Sequence, residues 1–142
     1  MIYTPTTHKF VAVLNKKIEI GKLMNALGHM SAGLVGCYSK LEDMRFGNYI
    51  DKDNNDHKSI SDNPFIILQA ANSNKLRTLR YELIANNIHF VDFTNTMTVG
   101  TYAEQQEKTL QTSEIDLEYW GICLFGEIEK INSLTKKFSL WR

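Results

Sequence analysis

Short continuous apolar runs alternate along the chain with longer segments of helical spacing. Residues 9–14, Lys-Phe-Val-Ala-Val-Leu, form a β-branched run that predicts a buried strand. Asn15-Lys16-Lys17 ends it. Over residues 20–36 the period changes. Ile20, Leu23, Met24, Leu27, Met30 and Leu34 recur at spacings of one, three and four, which predicts a helix with one apolar stripe. Residues 37–46 read as a second helical piece ending near Gly47, and the polar stretch 47–63 reads as an exposed loop.

Pro64 then opens a further apolar run, Phe65 to Ala70, and proline is tolerated where a strand begins. Asn72 or Ser73 is placed to cap a helix with Leu76, Leu79, Leu83 and Ile84 on one face. Asn86-Asn87 stops that helix, because asparagine tolerates a left-handed backbone. Ile88 to Phe93 predicts a third strand. Thr94 to Thr112 has good helix formers but little apolar face, and reads as a loop with a short helix. Glu118 to Phe125 predicts the fourth strand, ended by Gly126. In the last helix, Glu127 to Phe138, the seam is Ile128, Ile131, Leu134 and Phe138. Glutamates at its start and Lys136-Lys137 at its end suit the helix dipole. Ser139 to Arg142 reads as a short edge strand.

Strands alternating with helices predict an α/β fold built from βαβ units with right-handed crossovers. The strands lack polar alternation, so helices are expected on both faces. The expected architecture is a three-layer sandwich around a mixed, mostly parallel sheet of about four strands. On the first helix a second stripe, Gly21, Asn25, Gly28, Ala32 and Gly36, has almost no bulk. An interior glycine costs roughly 1 kcal/mol relative to alanine. Close packing against the sheet or another helix is the expected compensation, with a ligand as the alternative.

Composition adds limits. The 142 residues amount to 16.3 kDa, with 43% apolar and 23% charged types. That predicts one globular domain over residues 1–142. Sixteen basic residues balance sixteen acidic ones, so no overall field draws the chain to nucleic acid or an anionic membrane. The basic cluster Lys16, Lys17 and Lys22 reads as a solvated turn. Cys37 and Cys123 stand far apart, and Met1-Ile2-Tyr3-Thr4-Pro5 lacks a charged and apolar secretory start. Both thiols are therefore expected to be buried, in a cytoplasmic protein. No apolar run reaches the roughly 18–20 residues of a membrane span.

No metal or other cofactor is implied. His8, His57 and His89 are scattered, and no nucleophile elbow, phosphate loop or dinucleotide fingerprint is present. Residues 51–62 mimic a calcium loop at several positions. Asp56 stands where the sharp turn needs glycine, and Asp62 replaces the bidentate glutamate.

Lys9 to Leu14, then Ile20-Gly21-Lys22 and a small-residue helix, resemble the opening of type II peptidyl-tRNA hydrolases. The Gly121 to Gly126 strand and the final helix resemble their ending. A closer resemblance is to a relative of those hydrolases, the domain of unknown function two-thousand family. It is carried by Gly21 and Asn25, by Phe93, Thr94 and Met97, and by the terminal Gly-x-x-x-x-Gly strand leading to Leu140. The resemblance covers nearly the whole chain and implies a peptidyl-tRNA hydrolase II-like fold. Lys22 matches the hydrolases' first lysine, but Met24 stands at their second and Gly28 at their glutamine. The loop Phe-Thr-Asn-Thr-Met-Thr-Val-Gly lacks their Thr-Gln and Pro-Gly. Handling a tRNA backbone needs several basic contacts, so the resemblance implies the scaffold without that chemistry.

Ligands of open α/β sheets bind beyond the carboxyl ends of strands, where a helix N-terminus offers free N–H groups. The expected site is therefore the turn from the first strand into the first helix. Gly21, Lys22, Asn25 and His29, with Thr94 and Thr96 converging from the third strand, are expected to hold a small anionic or acylated ligand. His29, as the histidine among them, would be the general acid or base of any reaction. A structural alternative has Asn25 and His29 satisfying buried backbone or a homodimer contact. Three functions follow: a small-ligand-binding protein or enzyme of undefined reaction, a diverged hydrolase of peptidyl-tRNA or a related aminoacyl ester, or a dimeric regulatory module.

Overall fold

The computed structural model describes residues 4–142, so the first three positions of the secretory reading lie outside the described residues. The chain runs through β1 (His8–Asn15), α1 (Ile20–Gly36), a 3-10 turn (Leu41–Met44), β2 (Phe46–Ile50), β3 (Asp56–Ser61), β4 (Phe65–Ala70) and α2 (Ser73–Ala85). It continues through β5 (His89–Thr94), a 3-10 turn (Asn95–Met97), α3 (Tyr102–Leu110), a 3-10 turn (Glu114–Asp116), β6 (Tyr119–Glu127), α4 (Ile128–Thr135) and β7 (Ser139–Leu140).

Five strands form one sheet in the order β5-β6-β1-β4-β7. β1 pairs parallel with β4 and antiparallel with β6. The β4–β7 and β5–β6 pairs are also antiparallel. The sheet is thus mixed but mostly antiparallel, contrary to the expectation of a mostly parallel one. The expectation assumed that every helix between strands makes a parallel crossover. α3 buries none of its residues, so it does not carry β5 across the sheet, and β6 returns antiparallel beside β5.

Side-chain alternation along β1 divides the core. Phe10, Ala12 and Leu14 cluster with Leu23, Ala26, Met30 and Leu34 of α1. Val11 and Val13 cluster with Leu76, Leu79 and Leu83 of α2 and Ile131 of α4.

Three further expectations are corrected. Residues 37–46 hold only the 3-10 turn, because Arg45 turns left-handed at φ 54° and Phe46 begins β2. Residues 47–63 are not a loop: β2 and β3 pair antiparallel. This hairpin is almost wholly exposed, its apolar Phe46, Tyr49, Ile50 and Ile60 included, so no buried face marks it in the sequence and its backbone bonds define it. On α1, Ile20 and Met24 leave the apolar stripe and stand 52% and 66% exposed.

The bulk-free stripe of α1 faces solvent. A Cβ added at Gly21, Gly28 or Gly36 would meet nothing within 4 Å. Gly33 is the helix glycine that faces the sheet, and an added Cβ there would make an ordinary contact with Val91 at 3.7 Å. Nothing in the structure explains the other three glycines. Cys123 is buried, but Cys37 is exposed at the end of α1, which corrects the reading of both as buried. No helix among the described residues is long and apolar enough to cross a membrane.

Candidate functional site

Asn15, at the end of β1, sets the entry into α1. It is buried, its Nδ2 donates to the Tyr119 carbonyl at 2.9 Å, and its Oδ1 accepts from the Lys17 N–H at 2.9 Å. The β1 end is thereby tied to the start of β6. Because β5 and β1 both run opposite to β6, the end of β5 lies at the same edge of the sheet.

Asn25 and His29, one turn apart on α1, open onto a groove of about 490 Å³. Met30 of α1, Val91 and Phe93 of β5, Met97, and Tyr102 and Gln105 of α3 are among its other walls. β5 is an edge strand, paired only with β6. The groove therefore runs along a sheet edge between two helices. The His29 and Phe93 rings stack at 6.1 Å, Phe93 meets Trp120 at 5.7 Å, and Lys22 Nζ stands 5.9 Å over the Trp120 ring. Lys22 and His29 thus sit at opposite ends of one aromatic row. Neither Asn25 nor His29 hydrogen-bonds through its side chain to another of the described residues, so their polar atoms face the groove unused.

Thr94 and Thr96 do not join them. Both are buried, and their hydroxyls lie 2.8 Å apart. Thr109 Oγ1 lies 2.8 Å from Thr96 Oγ1 and 2.8 Å from the Gln105 carbonyl. These hydroxyls fasten the end of β5 to α3 and support the groove wall from behind. Gly21 is exposed one turn before Asn25 and does not line the groove.

Tyr102 and Gln105 had no signal in the sequence, since α3 is a mostly polar helix. Alternation along β5 was the available clue for the floor: Val91 and Phe93 join the α1 cluster while Phe90 joins the other. Asp92 also borders the groove, and its carboxylate meets Arg80 Nε at 3.1 Å. Burial holds its carboxyl above the usual aspartate range, against the pull of Arg80. Burial likewise pushes the Cys123 thiol up to about 12, so it is no thiolate near neutrality.

The lysine cluster of the sequence is divided. Lys16 borders a separate hollow of about 350 Å³ with Lys75 and Lys137, while Lys22 stands on Trp120. Three carboxylates of the calcium-like segment, Asp51, Asp56 and Asp62, are already engaged. Asp51 accepts from the Asp53 and Asn55 N–H groups, both at 2.9 Å, and meets His57 at 2.9 Å. Asp56 meets Lys58 at 2.9 Å, and Asp62 meets Arg45 at 2.7 Å. Among the described residues no group of three His, Cys, Asp or Glu could hold a metal ion.

The profile of a family described as "Protein of unknown function (DUF2000)" matches residues 8–142. The chain belongs to the DUF2000 family. Its fold is similar to that of a solved protein of unknown function, Atu0240 from Agrobacterium tumefaciens strain C58. The TM-score is 0.81 at 17% identity, over 96% of this chain and 98% of that one. At that identity the likeness concerns the fold alone. No curated protein matches this DUF2000 chain.

Proposed function

We propose that this DUF2000 chain is a small-ligand-binding protein on a three-layer, peptidyl-tRNA hydrolase II-like scaffold, with its ligand in the groove between α1 and α3. The observation that carries this reading is the pair Asn25 and His29, exposed side by side on one groove with their polar atoms unspent. Asn25 offers both a donor and an acceptor, and His29 offers a ring nitrogen of either role. Val91, Phe93 and Met97 supply an apolar floor. That combination suits a small acylated or anionic molecule with an apolar portion. Lys22, at the far end of the aromatic row, lies outside the groove lining and reaches the ligand only as a distant positive charge.

Binding is favoured over catalysis because His29 is positioned by a ring, Phe93, rather than by a carboxylate that would orient it as a base. The hydrolase reading rests on Lys22, which matches the hydrolases' first lysine and shares the row with His29. One lysine is a thin supply for a tRNA backbone.

Titration with N-acetylglycine and with inorganic phosphate, followed by ¹H–¹⁵N spectra, tests the proposal. The expected result is saturable movement of the Asn25, His29 and Phe93 resonances with at least one probe, abolished in Asn25→Ala/His29→Ala. No saturable movement, or the same movement in the double variant, would reject the site. Release of an acylated amino acid from tRNA would instead favour the hydrolase reading.

A further inference from the structure

β5 forms one edge of the sheet and is bonded only to β6. Alternation fixes which of its main-chain groups are already bonded. The Ile128 N–H donates to the Thr7 carbonyl at 3.1 Å, in the register of the β1–β6 ladder. Antiparallel bonds recur at every second residue. Ile122, Leu124 and Gly126 therefore bond to β1, which leaves Gly121, Cys123 and Phe125 to bond to β5. Their partners there are Phe93, Val91 and His89. The N–H and C=O of Phe90 and Asp92 consequently point away from β6, toward the open edge. The neighbouring ladder has the same parity: the Phe10 N–H, between two β1 residues that bond to β6, donates on the other side to the Pro64 carbonyl at 2.9 Å. Among the described residues no hydrogen bond reaches the outward groups of Phe90 and Asp92.

Donors and acceptors thus alternate along the edge with the two-residue repeat of an extended chain. The sequence of β5, His-Phe-Val-Asp-Phe-Thr, has no lysine, proline or glycine to discourage pairing. A bulge between Phe93 and Thr94 limits the open stretch to Phe90 and Asp92. Asp92 turns its carboxylate to Arg80 of α2, on the far face of the sheet, so what it offers the α1 side is main chain. Val91, between the two, turns its side chain toward α1 and floors the groove. The edge therefore opens into the groove between α1 and α3. A slim extended chain can enter there, whereas the edge of a second copy would bring its own α1 and α3 into the same space.

We propose that the groove binds a short extended peptide, which adds to β5 as a further strand. The peptide exchanges main-chain hydrogen bonds with Phe90 and Asp92. Its residue opposite Val91 turns an apolar side chain into the groove, against Val91, Phe93 and Met97. Main-chain bonds give strand addition its affinity, and the pocket gives the choice of side chain. This inference rests on the reading of the α1–α3 groove as a binding site and names the class of its ligand.

The probe is acetyl-Ala-Leu-Ala-methylamide, titrated into the whole chain beside its analogue N-methylated at all three residues. Amide hydrogen exchange is followed by ¹H–¹⁵N spectra. In the free chain the Phe90 and Asp92 amides are expected to exchange fast, and those of Val91 and Phe93 slowly. Saturating peptide is expected to slow exchange at Phe90 and Asp92 at least about tenfold, and the methylated analogue to bind at least about tenfold more weakly. Asp92→Pro removes one outward donor where an edge strand tolerates proline, and is expected to weaken binding to a similar degree. Should that variant not fold, the methylated analogue decides. Equal affinities for the two peptides would overturn the proposal. So would binding that leaves exchange at Phe90 and Asp92 unchanged, or undiminished binding by a folded Asp92→Pro variant. Concentration-dependent protection of both amides in the free chain would place a second copy on the edge and overturn it too. If the peptide fails while N-acetylglycine or phosphate still moves Asn25 and His29, the peptide is wrong and the groove reading stands. If none of the three binds, both fall.

Discussion

Arg77 of α2 donates from Nε to Glu114 Oε2 at 3.1 Å, joining residues 37 apart in the sequence. The arginine side chain is 8% exposed and the glutamate 34%. The guanidinium also donates to Asn74 Oδ1 and to the Glu114 and Leu117 carbonyls, and it lies 5.2 Å from the Tyr119 ring. One side chain thus ties α2 to the segment that leads into β6. Arg77→Ala would leave the Glu114 and Leu117 carbonyls and Asn74 Oδ1 without this donor, and the Glu114 carboxylate with only the Tyr81 and Tyr119 hydroxyls. Breaking a fully buried pair costs about 3–5 kcal/mol, and the partial exposure of Glu114 lowers the expected loss to about 2 kcal/mol. Urea denaturation measures it, and a loss below about 0.5 kcal/mol would show the cluster to be ornamental.

Acid should loosen the same cluster. The Tyr119 hydroxyl at 2.6 Å, then the Tyr81 hydroxyl and Arg77, hold the Glu114 carboxyl below the usual glutamate range. A carboxyl depressed in the folded state stabilises the fold above its unfolded value, about 4.3. That contribution disappears as the pH falls through the depressed folded value. Asp92 acts in the opposite sense: burial raises its carboxyl, so its contribution is present at low pH and is lost as the pH rises through the raised value. The comparison to make is therefore between variants. Glu114→Gln should lose less stability than the parent between pH 5 and the acid end of the titration (about pH 5 downward). Parallel pH profiles would contradict this role for Glu114.

Two glycines should respond oppositely to alanine. At Gly28, on the exposed side of α1, an added Cβ meets nothing within 4 Å. Gly28→Ala should stabilise by about 0.5–1 kcal/mol through helix propensity. At Gly121 in β6 the Cβ would lie 2.8 Å from both Leu14 Cδ2 and Met30 Cε. Both neighbours are core residues with little room to shift, so Gly121→Ala should cost about 1–3 kcal/mol. Melting temperatures of the two variants decide the matter. A fall for Gly28→Ala would point to a conformational demand on α1 that its backbone does not display.

Calcium should leave the melting temperature unchanged. Asp51, Asp56 and Asp62 already accept from their own turn or meet local cations, and Asn54 takes the positive φ of 66° in the turn. A saturable rise in melting temperature on calcium titration would overturn this account of the segment.

Much of the secondary structure could be read because its causes are local. The run Phe65 to Ala70 is a strand with the bounds its apolar continuity implied. Asn72 caps α2 by accepting from the Lys75 N–H at 3.1 Å, and Asn87 turns left-handed at φ 54° after it. The hairpin left no such mark because its apolar residues, Phe46, Tyr49, Ile50 and Ile60, stand exposed rather than on one buried face, and its register comes from backbone pairing. Ile20 and Met24 lie outside the buried stripe for a related reason: the spacing of a helix identifies a stripe, but its width depends on how much of the sheet lies beneath.

At the candidate site, the spacing of Asn25 and His29 was enough to put them on one face of α1. A place just after a strand points Thr94 and Thr96 toward the crevice, yet a hydroxyl can turn back as easily as forward. Thr109, on a helix with no apolar signature, turned them back.

The sequence by itself determined where most strands and helices begin and end, because apolar period, caps and turn residues act over a few positions. Only the tertiary structure decided which strands run together, that α3 borders the groove and that Arg77 reaches Glu114. Those outcomes depend on groups distant along the chain meeting at hydrogen-bond range, and no local pattern records which of them will meet.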